Sequence, residues 1–119
     1  MDKVGISRSK TLIIDLTDIG KEEDGVIVTY GSLIAHEMAH VHAYANGFRE
    51  TGDDLNSKGI NEMNASAVEN NYRALNNLSQ REYYTLDYTS NKKVIVTVPQ
   101  WDSKRNGWTL SGQAWNIQR

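Results

Sequence analysis

Apolar and polar residues follow two spacings along the chain, and each spacing predicts a different kind of element. Short aliphatic and β-branched runs at 11–16, 26–30 and 93–99 are typical of strands. Two longer segments, 32–46 and 61–78, carry apolar residues at helical spacing. Asn106-Gly107 predicts a hairpin turn, and the segment around Trp115 predicts one more strand. Residues 1–10, 18–25 and 48–59 are interpreted as a lead-in, a solvated turn and a loop.

The first predicted helix, 32–46, is apolar on nearly every side, so we expect it to be buried. Ser32 suits the N-cap position and Gly47 suits the position after the C-cap. Within this helix, residues 36–40 spell H-E-x-x-H. Histidines four residues apart lie on one helix face and can bind one zinc ion. The motif therefore predicts His36 and His40 as metal ligands and Glu37 as the general base.

A catalytic zinc ion usually has three protein ligands, and the third must be found elsewhere in the chain. There are no cysteines, so the remaining candidates are a histidine or a carboxylate. His42 follows His40 by two residues, which points it away from the metal side. We expect His42 to lie in the core or to support a ligand. The third ligand is therefore predicted to be a carboxylate.

The second predicted helix offers Glu62 and Glu69 for this role. They are seven residues apart, so they share a helix face at a separation of about 10 Å. One is expected to bind the metal and the other to support a ligand. Asn61-Glu62-x-x-Ala65-Ser66 resembles the corresponding element of glutamate zincins, which favours Glu62 as the ligand. Glu69 then orients a ligand histidine, with Arg73 beside it, or forms an i,i+4 ion pair with Arg73 at the surface.

Arg81 and Tyr84 form an R-x-x-Y pattern downstream of both helices. Amide hydrolysis creates a tetrahedral oxyanion, and a guanidinium and a phenol are suitable donors to it. The pattern predicts these two residues as the donors, with Tyr83 as the alternative source of the phenol. Strand 26–30, just before the metal-binding helix, is expected to bind an extended peptide along its edge.

The composition narrows the classes of partner. The chain has 119 residues, which predicts one domain over 1–119, and its net charge of −2 argues against a nucleic-acid partner. No apolar run approaches the ~20 residues of a membrane span, and the N-terminal segment lacks the apolar core of a signal peptide.

The order H-E-x-x-H, E-x-x-A, E-N-x-x-R (69–73), R-x-x-Y resembles NleD-type bacterial effector proteases, which are similar to miniature clostridial neurotoxin light chains. The resemblance covers about residues 26–88. It implies a minimal zincin-like fold, one Zn²⁺ per chain bound by His36, His40 and Glu62, water activation by Glu37, and transition-state stabilisation by Arg81 and Tyr84.

The same resemblance implies a zinc endopeptidase that cleaves proteins in the cytoplasm of a target cell. Such a protein is injected or secreted without a classical signal peptide, as an effector or as the C-terminal module of a longer toxin, and can be matched by an immunity or inhibitor protein. Two alternatives stay open: a non-catalytic zincin-like interaction module, and a plain α+β domain with an accidental motif.

Overall fold

Two helices packed against each other form the centre of the computed structural model, which describes residues 4–6, 12–49, 55–87, 93–109 and 115–118. Helix α1 spans Tyr30–Ala45 and helix α2 spans Leu55–Leu75. Around them lie short antiparallel strands. The expected α+β class with antiparallel sheets is therefore confirmed.

Nine strands form four small sheets in the described residues. The pairs are β1–β2, β3–β4 and β7–β8, and the fourth sheet has the order β5-β6-β9. The strands are β1 Val4–Ile6, β2 Leu12–Ile14, β3 Glu22–Glu23, β4 Val26–Ile27, β5 Tyr83–Asp87, β6 Lys93–Thr97, β7 Gln100–Asp102, β8 Gly107–Thr109 and β9 Trp115–Gln118.

Several sequence-based predictions of strands are confirmed, and others are wrong. β2, β4, β6 and β9 lie in or at the predicted segments, and β7–β8 is the predicted hairpin, with Trp101 opposite Trp108. β1 lies in the supposed lead-in and β3 in the supposed solvated turn. β5 was not predicted, because its polar and aromatic residues lack the apolar alternation of a half-buried strand.

Helix α1 differs from its prediction at the N-terminus. The N-cap is Thr29, whose hydroxyl accepts from Ser32 N at 3.1 Å, while Ser32 Oγ accepts from Thr29 N at 2.9 Å. Ser32 is thus the reciprocal partner in a capping box rather than the cap itself. The C-terminal prediction is confirmed, because Gly47 has φ +94° and Phe48 N donates to Ala43 O.

The expectation that α1 is buried on all sides is also wrong. Met38 is 47% exposed and Tyr30 is 60% exposed. The buried positions are mostly polar, namely Ser32, Leu33, His36, Glu37 and His40. One face of α1 therefore points inward, and that face carries the H-E-x-x-H motif.

Helix α2 begins at Leu55, six residues before the predicted start, so part of the predicted loop is helical. Residues 50–54 of that loop lie outside the described residues. The helix ends before the predicted Leu78, because Asn77 adopts φ +57° and Leu78 N donates to Arg73 O. This is a Schellman ending, with asparagine in the position that glycine usually occupies.

Strand β6 and the segment after it supply the apolar core next to the helices. Val94, Val96 and Val98 alternate with more exposed residues and are at most 2% exposed. Tyr84 on β5 packs with Val96 and Val98, and Met63 of α2 lies against this cluster. This packing holds β5 beside α2, and it brings Tyr84 close to α1.

Candidate metal centre

The two histidines of α1 face one carboxylate oxygen of α2. Glu62 Oε1 lies 3.0 Å from His36 Nε2 and 3.1 Å from His40 Nε2. One potential ligand atom from each of the three residues lies within 4.8 Å of the other two. His36 and His40 are buried, and Glu62 is partly exposed. These three side chains form a group that could hold a metal ion.

The outer nitrogen of each imidazole is bound by a separate acceptor. His36 Nδ1 lies 2.9 Å from Glu69 Oε1, and His40 Nδ1 lies 2.9 Å from Asn61 Oδ1. An ionised carboxylate and an amide oxygen only accept hydrogen bonds, so both Nδ1 atoms must donate. In the neutral imidazoles this leaves the two Nε2 lone pairs facing Glu62.

Three acceptor atoms therefore meet at one point when both imidazoles are neutral. Positive charge at this point, from protons on the imidazoles or from a metal ion, removes their repulsion. Metal-binding histidines characteristically donate their second N–H to a carboxylate or a carbonyl. The arrangement around His36 and His40 has this form.

Glu69 lies behind His36 in a buried ionic network. Arg73 Nε donates to Glu69 Oε2 at 2.6 Å, and Arg81 Nε donates to the same carboxylate at 3.3 and 3.4 Å. Burial raises the pKa of Glu69, but the hydrogen bond from His36 and the charges of Arg81, His36 and Arg73 outweigh it. The pKa is lowered from 4.5 to about 2. Glu69 is therefore a permanent anion near neutral pH.

Arg73 connects this network to the strand before α1. Its side chain is 2% exposed, and Nη2 donates to Ile27 O at 3.0 Å and to Ser32 Oγ at 3.3 Å. Arg73 Nη1 donates to Ser79 O at 3.3 Å. The Glu69–Arg73 pair is thus not a surface ion pair, and this alternative is wrong. The pair joins α2 to β4 and to the first turn of α1.

Arg81 is buried against three carboxylates. Besides Glu69, it donates from Nη2 to Glu23 Oε1 at 3.1 Å and from Nη1 to Asp24 Oδ2 at 3.3 Å. Burial lowers the pKa of Arg81, but Glu69 and Glu23 raise it more, so it lies above the ordinary value. Asn70 fixes the backbone of Arg81 by accepting from its N–H at 2.7 Å and donating to its carbonyl at 2.8 Å.

Tyr84 lies directly against a predicted metal ligand. Its ring stacks on His36 with centroids 5.6 Å apart and an interplanar angle of 17°. The Arg81 guanidinium carbon lies 5.3 Å from the centroid of the same ring. The structure therefore brings both residues of the R-x-x-Y pattern next to the histidine pair. Tyr83, the alternative phenol, precedes Tyr84 on β5 and is only partly buried.

Glu37 and His42 occupy very different environments on α1. Glu37 is fully buried, at 0% exposure, next to His36 in the chain. His42 is exposed, and its Nε2 lies 3.2 Å from Asn46 Nδ2. The expectation that His42 lies in the core or supports a ligand is therefore wrong, because the inward face of α1 ends at His40.

Sequence reasoning missed several residues that shape the site. Asn61 received no role, although its position immediately before the expected ligand was a usable signal. Asn70 stood in the E-N-x-x-R element but received no role. Glu23 and Asp24 carried no sequence signal, because their partner Arg81 is 58 and 57 residues away in the chain.

Comparison with known proteins adds no family assignment. No protein-family model, no curated protein and no solved structure matches the chain. In the part of the chain that the structure describes, neither helix is long and apolar enough to cross a lipid bilayer. The functional conclusion must therefore be built from the geometry of the site.

Proposed function

We propose that the protein is a zinc-dependent endopeptidase with a zincin-like site. The observation that carries this proposal is the meeting of His36 Nε2, His40 Nε2 and Glu62 Oε1, with both Nδ1 atoms held by outer acceptors. Two imidazoles and a carboxylate match the ligand set of many catalytic zinc sites. Glu69 and Asn61 would orient the two histidines, and one Zn²⁺ per chain would occupy the group.

When bound, zinc supplies Lewis-acid chemistry, acidifying a water molecule and polarising the scissile carbonyl. Glu37 would take the proton from that water and pass it to the departing amine. Its 0% exposure supports this role, because the buried carboxylate of the residue that follows His36 in the chain is shielded from competing solvent. Arg81 and Tyr84 would donate to the oxyanion, and for this Arg81 must exchange a contact with Glu23 or Asp24.

The biological setting is proposed from the order of the motifs. The resemblance to NleD-type effector proteases supports an effector or toxin domain that cleaves proteins in the cytoplasm of another cell. In this setting the protein would be delivered without a classical signal peptide, and a dedicated immunity or inhibitor protein would bind it. The substrate would be a protein segment in extended conformation.

The proposal is tested by metal stoichiometry and by Glu37→Gln. We expect one equivalent of zinc in both proteins, and a loss of hydrolysis of at least about 100-fold in the variant, because the general base is removed. Cleavage is measured by identifying new N-termini in target-cell lysate. Glu82→Gln, which makes the same change at an exposed position, should retain both properties. The peptidase proposal fails if zinc does not bind after reconstitution, or if the Glu37 variant cleaves like the wild type.

The non-catalytic interaction module is the second candidate. It is favoured by one observation: Arg81, a proposed oxyanion donor, is fully engaged by Glu69, Glu23 and Asp24. In this case zinc would only stabilise the fold, and Glu37→Gln would leave partner binding unchanged. The same pair of proteins therefore distinguishes the two candidates.

A further inference from the structure

Strand β5 is the edge of its sheet and lies beside the candidate metal group. Among the strands that the structure describes, the order is β5-β6-β9, so only one side of β5 is paired with another of these strands. Val98 N donates to Glu82 O on the paired side, so by alternation the main chain of Thr85 points to the open side. Tyr84 lies between Glu82 and Thr85 in the chain, and its ring stacks on His36.

The open edge of β5 is capped by an acidic side chain. Asp24, in the turn of the β3–β4 hairpin, accepts from Thr85 N at 2.8 Å through Oδ2. Its other oxygen accepts from Thr85 Oγ1 at 2.8 Å. Asp24 thus makes the hydrogen bond that the carbonyl of an added strand would make.

The same turn also binds the guanidinium of Arg81. Asp24 and Glu23 each accept from one terminal nitrogen, at 3.3 and 3.1 Å. The acidic turn, defined as Glu23 and Asp24, therefore covers the strand edge and a proposed oxyanion donor together. A bound substrate would need both the strand edge and the guanidinium of Arg81.

Strand β4, where an extended peptide was expected to bind, has its outer edge occupied by a buried side chain. Val28 N donates to Lys21 O on the β3 side, so the Ile27 carbonyl points to the opposite side. There it accepts from Arg73, whose side chain is only 2% exposed. By contrast, the side chain of Asp24 on the β5 edge is 15% exposed and sits on a hairpin of two-residue strands. Moving this partly exposed side chain off the β5 edge disturbs less buried structure than moving Arg73 off the β4 edge.

We propose that the open edge of β5 is the docking strand for an extended peptide segment, and that the acidic turn occupies this edge until the peptide displaces it. The inference rests on the proposed peptidase function, since it places the substrate of the same site. Displacement frees Thr85 N for the main chain of the peptide. It also releases Arg81 toward the reacting carbonyl.

The test uses Asp24→Gly, which removes the cap without straining the turn, because Asp24 has φ +51° and glycine adopts this conformation freely. Glu22→Gln is the matched control, since it removes one charge from the same hairpin at an exposed position. Both changes are made in Glu37→Gln, so that binding is measured without turnover. The probe is an array of random ten-residue peptides, titrated in the presence of Zn²⁺.

We expect Asp24→Gly to tighten peptide binding about tenfold, because the fraction of molecules with an open edge increases. Amide exchange at Thr85 should accelerate in this variant and stay unchanged in the Glu22 control. Adding Thr85→Pro, which removes the edge N–H but no β6 hydrogen bond, should return binding to the starting level.

The docking proposal is overturned if Asp24→Gly binds peptides no better than Glu22→Gln, or if Thr85→Pro leaves the gain intact. Its failure is separable from that of the peptidase. If binding increases with Asp24→Gly and is lost with Thr85→Pro, while the protein that retains Glu37 hydrolyses nothing in the lysate assay, the docking strand is supported and only the peptidase proposal is refuted.

Discussion

We expect Glu69→Gln to destabilise the folded protein strongly. The carboxylate lies between two guanidinium groups and His36, and its side chain is 2% exposed. Glutamine has nearly the same shape but no charge, so Arg73 and Arg81 would lose their shared counter-ion. Arg81 would keep Glu23 and Asp24, whereas Arg73 would keep only neutral acceptors among its contacts described above. The cost should therefore come mainly from Arg73.

The magnitude follows from the pKa of Glu69. A decrease from 4.5 to about 2 favours the ionised form in the folded state. At 1.36 kcal/mol per unit, this corresponds to about 3 kcal/mol of stability. Removal of one partner from a buried ion pair typically costs about 3–5 kcal/mol, which agrees. We therefore expect the variant to be about 3 kcal/mol less stable at pH 7.

The pH dependence of this difference has a definite sign. The folded-state pKa is depressed, so the stabilisation is complete above the unfolded value of 4.5 and is lost as the pH falls toward about 2. The wild type and Glu69→Gln should therefore differ fully at pH 7 and converge between pH 4.5 and 2. At these lower pH values the wild-type carboxyl becomes protonated and resembles the amide.

The assay is urea denaturation with a chelator present, so that metal binding does not contribute. With a slope of about 1.5 kcal/mol/M, the midpoint should decrease by about 2 M. Glu82→Gln provides the same chemical change at an exposed site and should shift the midpoint by less than about 0.3 M. This expectation is contradicted if Glu69→Gln lowers the stability by less than about 1 kcal/mol, or if the difference between the two proteins persists at pH 2.

Two further substitutions test the outer support of the site and the contact between the helices. Asn61→Ala should weaken zinc binding about 10- to 100-fold, because His40 loses the acceptor that orients it. Zinc affinity is measured by competition with a chromophoric chelator. Asn64→Ala, at an exposed position of α2, should leave this affinity unchanged. Gly31→Ala should destabilise the protein by about 1–3 kcal/mol in thermal unfolding, although alanine favours helix, because its Cβ would overlap the Tyr72 ring. Tyr72→Ala in the same chain should relieve most of this cost, and purely additive effects would contradict the overlap.

The residues whose placement follows from local helix geometry were predictable from the sequence. The spacing of His36 and His40 places them on one face of any helix, whatever surrounds it. From the sequence, Glu62 and Glu69 were both candidates for the third ligand. Only the resemblance of residues 61–66 to an element of glutamate zincins favoured Glu62. The structure places Glu62 at the inner nitrogens and Glu69 at the outer nitrogen of His36. Only tertiary packing of α1 on α2 distinguishes these positions.

The contacts of Arg81 lay beyond sequence reasoning for a physical reason. Its partners Glu23 and Asp24 are 58 and 57 residues away and lie in a segment whose composition indicated a solvated turn. Charged residues are usually solvated, so their burial depends on partners that only the folded chain brings together. Strand β5 was also missed, because its residues lack the apolar alternation of a half-buried strand and the acceptor of the Thr85 N–H, Asp24, lies 61 residues away in the chain.

The interior around the candidate site is polar, and this has a consequence for stability. Arg73, Glu37 and Glu69 are among the largest fully buried side chains, whereas the described apolar core consists mainly of small valines. Compared with well-packed apolar side chains of the same volume, buried ion pairs give little or no advantage in stability, because desolvation offsets much of their attraction. A zinc ion bound to His36, His40 and Glu62 would replace the unfavourable meeting of three acceptors with favourable coordination, and would bind the folded state only. Metal binding and folding should therefore be coupled in this chain, because the metal would bind the three ligands only where the folded chain brings them together.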